Sequence, residues 1–127
     1  MSAKQMRVLL SIKPEFALRI FDGSKKYEYR RVIFRRADVK TVVVYASDPI
    51  KKVIGEFEIG EILCEQPQAL WAKTGDYAGI TKERFLGYFE KRGKGYAIRI
   101  REARMYDTAI PLSKLTVLSP PQSFAYL

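Results

Sequence analysis

Nine consecutive residues, Gly23-Ser24-Lys25-Lys26-Tyr27-Glu28-Tyr29-Arg30-Arg31, gather both signs of charge into one short stretch. On a strand, alternate side chains share a face, so Lys26, Glu28 and Arg30 project to one side. Flanked by cations, Glu28 is free to accept hydrogen bonds from a base or to orient a neighbouring lysine. If Lys25 is desolvated it becomes a partly neutral base or an electrostatic stabiliser, with Glu28 as its partner. The plainer reading of the same residues is a cross-strand salt-bridge ladder. The rest of the chemical repertoire is narrow. Histidine is absent and Cys64 is the one cysteine, which excludes disulfides within the chain, Cys/His zinc sites and an imidazole base. No metal or cofactor is expected, and Lys, Asp, Glu, Ser, Thr and Tyr carry whatever chemistry there is.

The elements that must position this segment can be read from pattern. Met6 to Ile12 is a short apolar run and reads as a strand. Pro14 suits a first helical turn, Phe16, Ala17, Ile20 and Phe21 share a helical face, and Gly23 stands where a left-handed cap is wanted, which predicts a helix from Pro14 to Asp22. Lys26 to Ile33 reads as a second strand, and Val42 to Tyr45 as a buried one ended by the turn Ser47-Asp48-Pro49. Val53, Gly55, Phe57 and Ile59 alternate with more polar positions as a strand hairpin-paired to its predecessor, with Gly60 marking a bulge. Pro67 opens a short helix through Trp71. Thr81 caps a further helix over Lys82 to Arg92, with Ile80 and Phe85 at staple spacing and Phe85, Tyr88 and Phe89 as its buried face. Tyr96 to Arg101 alternates as a long strand, and the chain ends in Pro111, a short turn and Ser119-Pro120-Pro121. The sum is one α+β domain over residues 1–127, with a small, barrel-like sheet and two or three helices.

The chain has 127 residues, 47% of them apolar, and 23 Lys and Arg against 14 Asp and Glu, a formal charge of +9. One hydrophobic core suits this size. The charge is segregated: Lys25 to Lys40 holds seven cations and two acids, Lys82 to Arg104 eight and three, while Gly55 to Gly79 holds five acids and only Lys73. Two basic runs in one small domain can form a positive face for phosphate backbones, with Tyr27, Tyr29 and Trp71 as stacking surfaces. Solvated surface charge and half-buried aromatic packing are the bland alternatives. No apolar run reaches the ~20 residues of a membrane helix, and Met1-Ser2-Ala3-Lys4-Gln5 lacks the apolar stretch of a secretory signal. A soluble, cytoplasmic protein with no membrane partner is expected.

The sequence resembles an ASCH domain of the PUA-like superfamily, of the small single-domain prokaryotic type. The resemblance rests on Leu10-Ser11-Ile12-Lys13-Pro14 with its helix, the G-x-K-x-x-E-x-R pattern at Gly23, Lys25, Glu28 and Arg30, the ending Tyr45-Ala46-Ser47-x-Pro49, Gly55-x-Phe57, and Pro120-Pro121-Gln122-Ser123-Phe124. It implies a small β-barrel of five to six mostly antiparallel strands with flanking helices, and a cleft beside the pattern that receives RNA or a modified nucleoside. Some members resemble amidohydrolases that deacetylate N(4)-acetylcytidine with a lysine, a threonine and a glutamate, and another class is ribonuclease-like. Carried over, the lysine falls on Lys25 and the threonine position is held by Glu28, so a carboxylate would act as base toward water. The nearest carboxylate for the glutamate is Asp76.

Three readings stay open. In the first, the chain is a binding module for single-stranded RNA or a modified nucleoside, possible regulation included: Lys13, Lys25, Lys26, Arg30, Arg31 and Ser47 hold phosphates, and Glu28 reads a base edge. In the second it is a small hydrolase, an N(4)-acetylcytidine amidohydrolase or a ribonuclease, using Lys25 and Glu28 with Asp76. In the third its cleft takes an anionic metabolite, or its surface a protein partner.

Overall fold

The computed structural model describes residues 6–115, 117 and 119–127; the N-terminal Met1 to Gln5 segment lies outside them. Its elements run β1 (Met6–Ile12), α1 (Pro14–Phe21), β2 (Tyr27–Arg30), β3 (Val39–Ala46), β4 (Lys52–Glu65), α2 (Pro67–Thr74), α3 (Lys82–Tyr88), β5 (Gly95–Ile110) and β6 (Ala125–Tyr126), with 3-10 turns at Gly75–Tyr77 and Leu112–Lys114. The class is α+β. The strands form one mixed sheet in the order β2-β5-β4-β3-β1-β6, with β1 and β3 parallel and the other pairings antiparallel. None of the described helices is long and apolar enough to cross a membrane.

Strands β1 and β3 are buried on both faces, which is why Val42 to Tyr45 is an unbroken apolar run. Val8, Leu10, Ile12, Val42, Val44 and Ala46 face one core with Ala17 and Ile20 of α1. Leu9, Val43 and Tyr45 face the other side, covered by Leu112, Leu115, Ala125 and Leu127 from the C-terminal stretch. A third cluster forms where α2 and α3 cover the β2 end of the sheet, with Leu70, Phe85 and Phe89 packed on Tyr29 and Ala97. Burying a phenylalanine of this kind stabilises the fold by about 1.5–3 kcal/mol relative to leaving it exposed.

The expected closed barrel is replaced by an open sheet. Its end strands are too short to seal it, with four residues in β2 and two in β6, and among the described residues no backbone pairing joins β2 to β1 or β6. The sheet instead curls until Arg30 of β2 reaches across: its Nη2 donates to the Ser123 carbonyl at 2.6 Å, and its Nη1 lies 3.5 Å from the Ser11 carbonyl. An open seam remains between the two edges.

Candidate functional site

That seam is a hollow of about 540 Å³, within the range of small-molecule sites. Its walls are the end of β1 and the residue after it (Ser11, Ile12, Lys13), Phe16 of α1, Lys25, Glu28, Tyr29 and Arg30 of β2 with Arg31 just beyond, Ile80 before α3, and Arg84, Gly87 and Tyr88 of α3. Gln122 lines it as well. Five cations (Lys13, Lys25, Arg30, Arg31, Arg84) thus surround a single lining carboxylate, Glu28.

The turn after α1 delivers Lys25. Asp22 caps the helix and accepts from the Ser24 amide at 2.8 Å, and Gly23 takes the left-handed φ of +88° expected of it. The chain then drops Lys25 inward, to 3% exposure. Its Nζ donates to the Ala78 carbonyl at 2.8 Å, stands 4.0 Å from Glu28 Oε1, and lies 4.9 Å from the Tyr29 ring centre and 5.4 Å from that of Phe16. Burial pushes the Lys25 ammonium below the usual lysine pKa; Glu28 opposes that shift and Arg19 adds to it. Glu28 is 6% exposed and takes Arg30 Nη1 at 3.3 Å on its Oε2. The three form a charged row, buried Lys25 and Glu28 with partly buried Arg30, in which the carboxylate is shared.

Two cation–aromatic stacks frame the mouth. Arg31 lies 4.2 Å over the Tyr88 ring and donates from Nε to the Tyr88 carbonyl at 2.6 Å. Arg84 lies 4.7 Å over Phe16 and holds Glu15 through both terminal nitrogens at 3.0 and 3.2 Å. These pairs are attractive and leave guanidinium planes near the ligand space.

Of the residues singled out from sequence, Lys13, Lys25, Glu28, Tyr29, Arg30 and Arg31 meet at this hollow. Lys26 does not. Its backbone N–H goes to the Tyr77 carbonyl, and its side chain lines a separate hollow of about 230 Å³ with Asp22 and Glu102. Buried Lys25, rather than Lys26, is therefore the lysine beside Glu28. Asp76 is exposed on the 3-10 turn and Ser47 sits in the turn after β3; neither lines the cleft. Tyr27 and Trp71 pack against the α2–α3 cluster. Tyr29 lines the cleft but is 6% exposed, its ring held edge-on by Phe85 and its hydroxyl bonded to Thr74 Oγ1 at 2.7 Å. Phe16, Arg84 and Tyr88 were not predicted; the sequence shows them only as helix positions. Among the described residues there is no cluster of three or more His, Cys, Asp or Glu placed to hold a metal.

A family model described as a domain of unknown function (DUF365) matches residues 6–120. The ASCH domain-containing ribonuclease of Zymomonas mobilis is 32% identical over 123 residues, covering 94% of this chain and 82% of that protein. The chain belongs to the DUF365 family and is an ASCH-domain protein. The crystal structure of ASCH from Zymomonas mobilis superposes with a TM-score of 0.87 at 30% identity, covering 95% of this chain and 87% of that one. This chain is also 29% identical over 124 residues to the large ribosomal subunit protein uL22 of Ureaplasma parvum, a match that covers 94% of this chain but only 39% of that protein.

Proposed function

We propose that this ASCH protein takes an unstacked nucleotide of single-stranded RNA into the seam and cleaves the adjoining phosphodiester. The observation that carries the reading is Glu28, the one carboxylate lining the hollow, sunk among five cations. A base splayed from a single strand fits a pocket, where a duplex would call for a groove-entering element. The similarity to a protein named as a ribonuclease, over 82% of its length, favours cleavage over binding alone. In this reading Lys13, Arg30 and Arg31 meet phosphate oxygens. Glu28 accepts the proton of the ribose 2′-hydroxyl as that oxygen attacks phosphorus, and the bond to the 5′-oxygen breaks. Lys25, its ammonium made more acidic by burial, donates a proton to the leaving oxygen. The products are a 2′,3′-cyclic phosphate and a 5′-hydroxyl.

The test is a labelled single-stranded RNA incubated beside DNA of the same sequence, with and without chelator. RNA-only cleavage to cyclic-phosphate ends is expected, and Glu28→Gln should slow it about a hundredfold or more while leaving affinity nearly unchanged. RNA bound but left intact by the wild type would make the chain a binding module; no RNA bound at low salt would end the reading. A second reading, deacetylation of N(4)-acetylcytidine, draws on the same buried Lys25. Acetate release from that nucleoside, lost in Lys25→Ala, would establish it instead.

A further inference from the structure

Beyond Arg84, which lines the cleft, the second basic run of the sequence divides in two once folded. Along β5, Arg99, Arg101 and Arg104 face the acids of β4: Arg99 stands 3.9 Å from Glu61, Arg104 3.2 Å from Glu56, and Arg101 is the register partner of Glu58. Arg99 and Arg104 are thereby paired within the sheet, and Arg101 lies along the same acid-bearing ladder. Lys91, Arg92 and Lys94, on the turn between α3 and β5, are exposed, and among the described residues none of them enters an ion pair. The turn has one acid, Glu90, and no apolar side chain from 90 to 94.

Position gives this patch its meaning. The turn starts directly after Phe89, next to Tyr88, the residue that carries Arg31 on its ring and its carbonyl. It returns beside β2, where Tyr96 is the register partner of Arg30, and Lys94 lies 5.9 Å over the Tyr96 ring. The turn is also held in place: Arg92 donates its amide to the Phe89 carbonyl at 2.9 Å, and Gly95 lies so close under the Phe89 ring that a Cβ there would meet it at 2.4 Å. A turn of fixed backbone that carries three exposed cations therefore begins beside the Arg31–Tyr88 stack at the cleft mouth.

We propose that Lys91, Arg92 and Lys94 form a second phosphate-binding patch, gripping the same RNA strand just beyond the nucleotide in the seam. The inference rests on the RNA reading of the cleft and adds the path of the flanking strand. A patch of cations without apolar residues suits a polyanion better than a protein surface.

The test compares a trinucleotide and a 12-nucleotide single-stranded RNA, both 2′-O-methylated so that the 2′-hydroxyl attack proposed for the seam cannot proceed, by fluorescence anisotropy across a salt series, on the wild type and on Lys91→Ala/Arg92→Ala/Lys94→Ala. The variant's affinity for the longer RNA is expected to fall about tenfold at low salt, and its log–log salt slope to become shallower by about 2. Trinucleotide affinity should stay within about twofold of the wild type. Arg92→Lys, which keeps the charge, should bind the longer RNA as the wild type does. An unchanged long-RNA affinity, or an equal loss for both lengths, overturns the patch while leaving the cleft reading standing. A wild type that binds neither RNA overturns both.

Discussion

At the scale of single residues, the unusual object is a lysine 3% exposed beside a carboxylate 6% exposed. Removing one member of such a row leaves the others buried without their counter-charge, a loss that runs to about 3–5 kcal/mol for fully buried pairs. Glu28→Gln leaves Lys25 and Arg30 facing a neutral amide in place of their shared counter-charge, so it should cost more stability in urea titration than Lys25→Met, which leaves Glu28 its arginine. The pH dependence has a definite sign. Because the folded Lys25 releases its proton more readily than the unfolded chain, whose lysine sits near 10.5, the unfolded state holds more protons as pH approaches that value from below, and stability rises. The wild type should therefore gain on Lys25→Met between neutral pH and about pH 10. The tyrosines act oppositely. Burial raises Tyr29 and Tyr106 from 10.0 to about 12, so the unfolded chain loses those protons first and stability falls above about pH 10. Tyr29→Phe should flatten that alkaline fall in the same titration, at a cost of about 1 kcal/mol for its lost bond to Thr74.

Among the elements, the loop before α3 does more than connect. It supplies the Ala78 carbonyl that holds Lys25, and Arg19 Nη1 pins the next carbonyl, that of Gly79, at 2.7 Å. Gly79 has φ of +65°, and a Cβ there would lie 2.5 Å from Lys25 Cβ. Gly79→Ala should thus destabilise by about 1–3 kcal/mol and cut activity by tenfold or more through a displaced amine, with melting temperature and rate read together. This dependence was invisible beforehand, although much else at this scale was legible. Periodicity located β1, α1 and the Thr81 cap, whose hydroxyl accepts from the Arg84 amide at 3.2 Å. The bulge expected at Gly60 appears as a register shift between Ile59 and Ile62. The misses have local causes. Strand β2 starts at Tyr27 because the Lys26 amide is diverted to Tyr77. Helix α3 stops at Tyr88, short of Arg92, because the chain must reverse at Lys91, with φ of 62°, to slide Gly95 beneath Phe89. Strand β6 is two residues whose pairing with β1 spans most of the chain, beyond any local pattern. In the site, Lys25, Glu28 and Arg30, within six residues of one another, announced themselves, whereas Phe16, Arg84 and Tyr88 join only when α1 and α3 close on β2.

For the whole molecule, the net charge of +9 is unevenly placed, since Arg99 and Arg104 are matched by Glu61 and Glu56 across the β4–β5 ladder and the excess lies elsewhere. If about four to six phosphates are neutralised, the logarithm of RNA affinity should fall with the logarithm of salt at a slope of about −3 to −4. A flat response in anisotropy titrations would mean the basic face is not the contact. The open seam bears on how a strand gets in. Among the described residues its two lips are tied by the Arg30 guanidinium and not by a backbone ladder. Parting them for a polymer to be laid in sideways therefore sacrifices a few side-chain bonds, whereas a sealed cylinder would have to unzip a full row of amides or wait for a free end to thread.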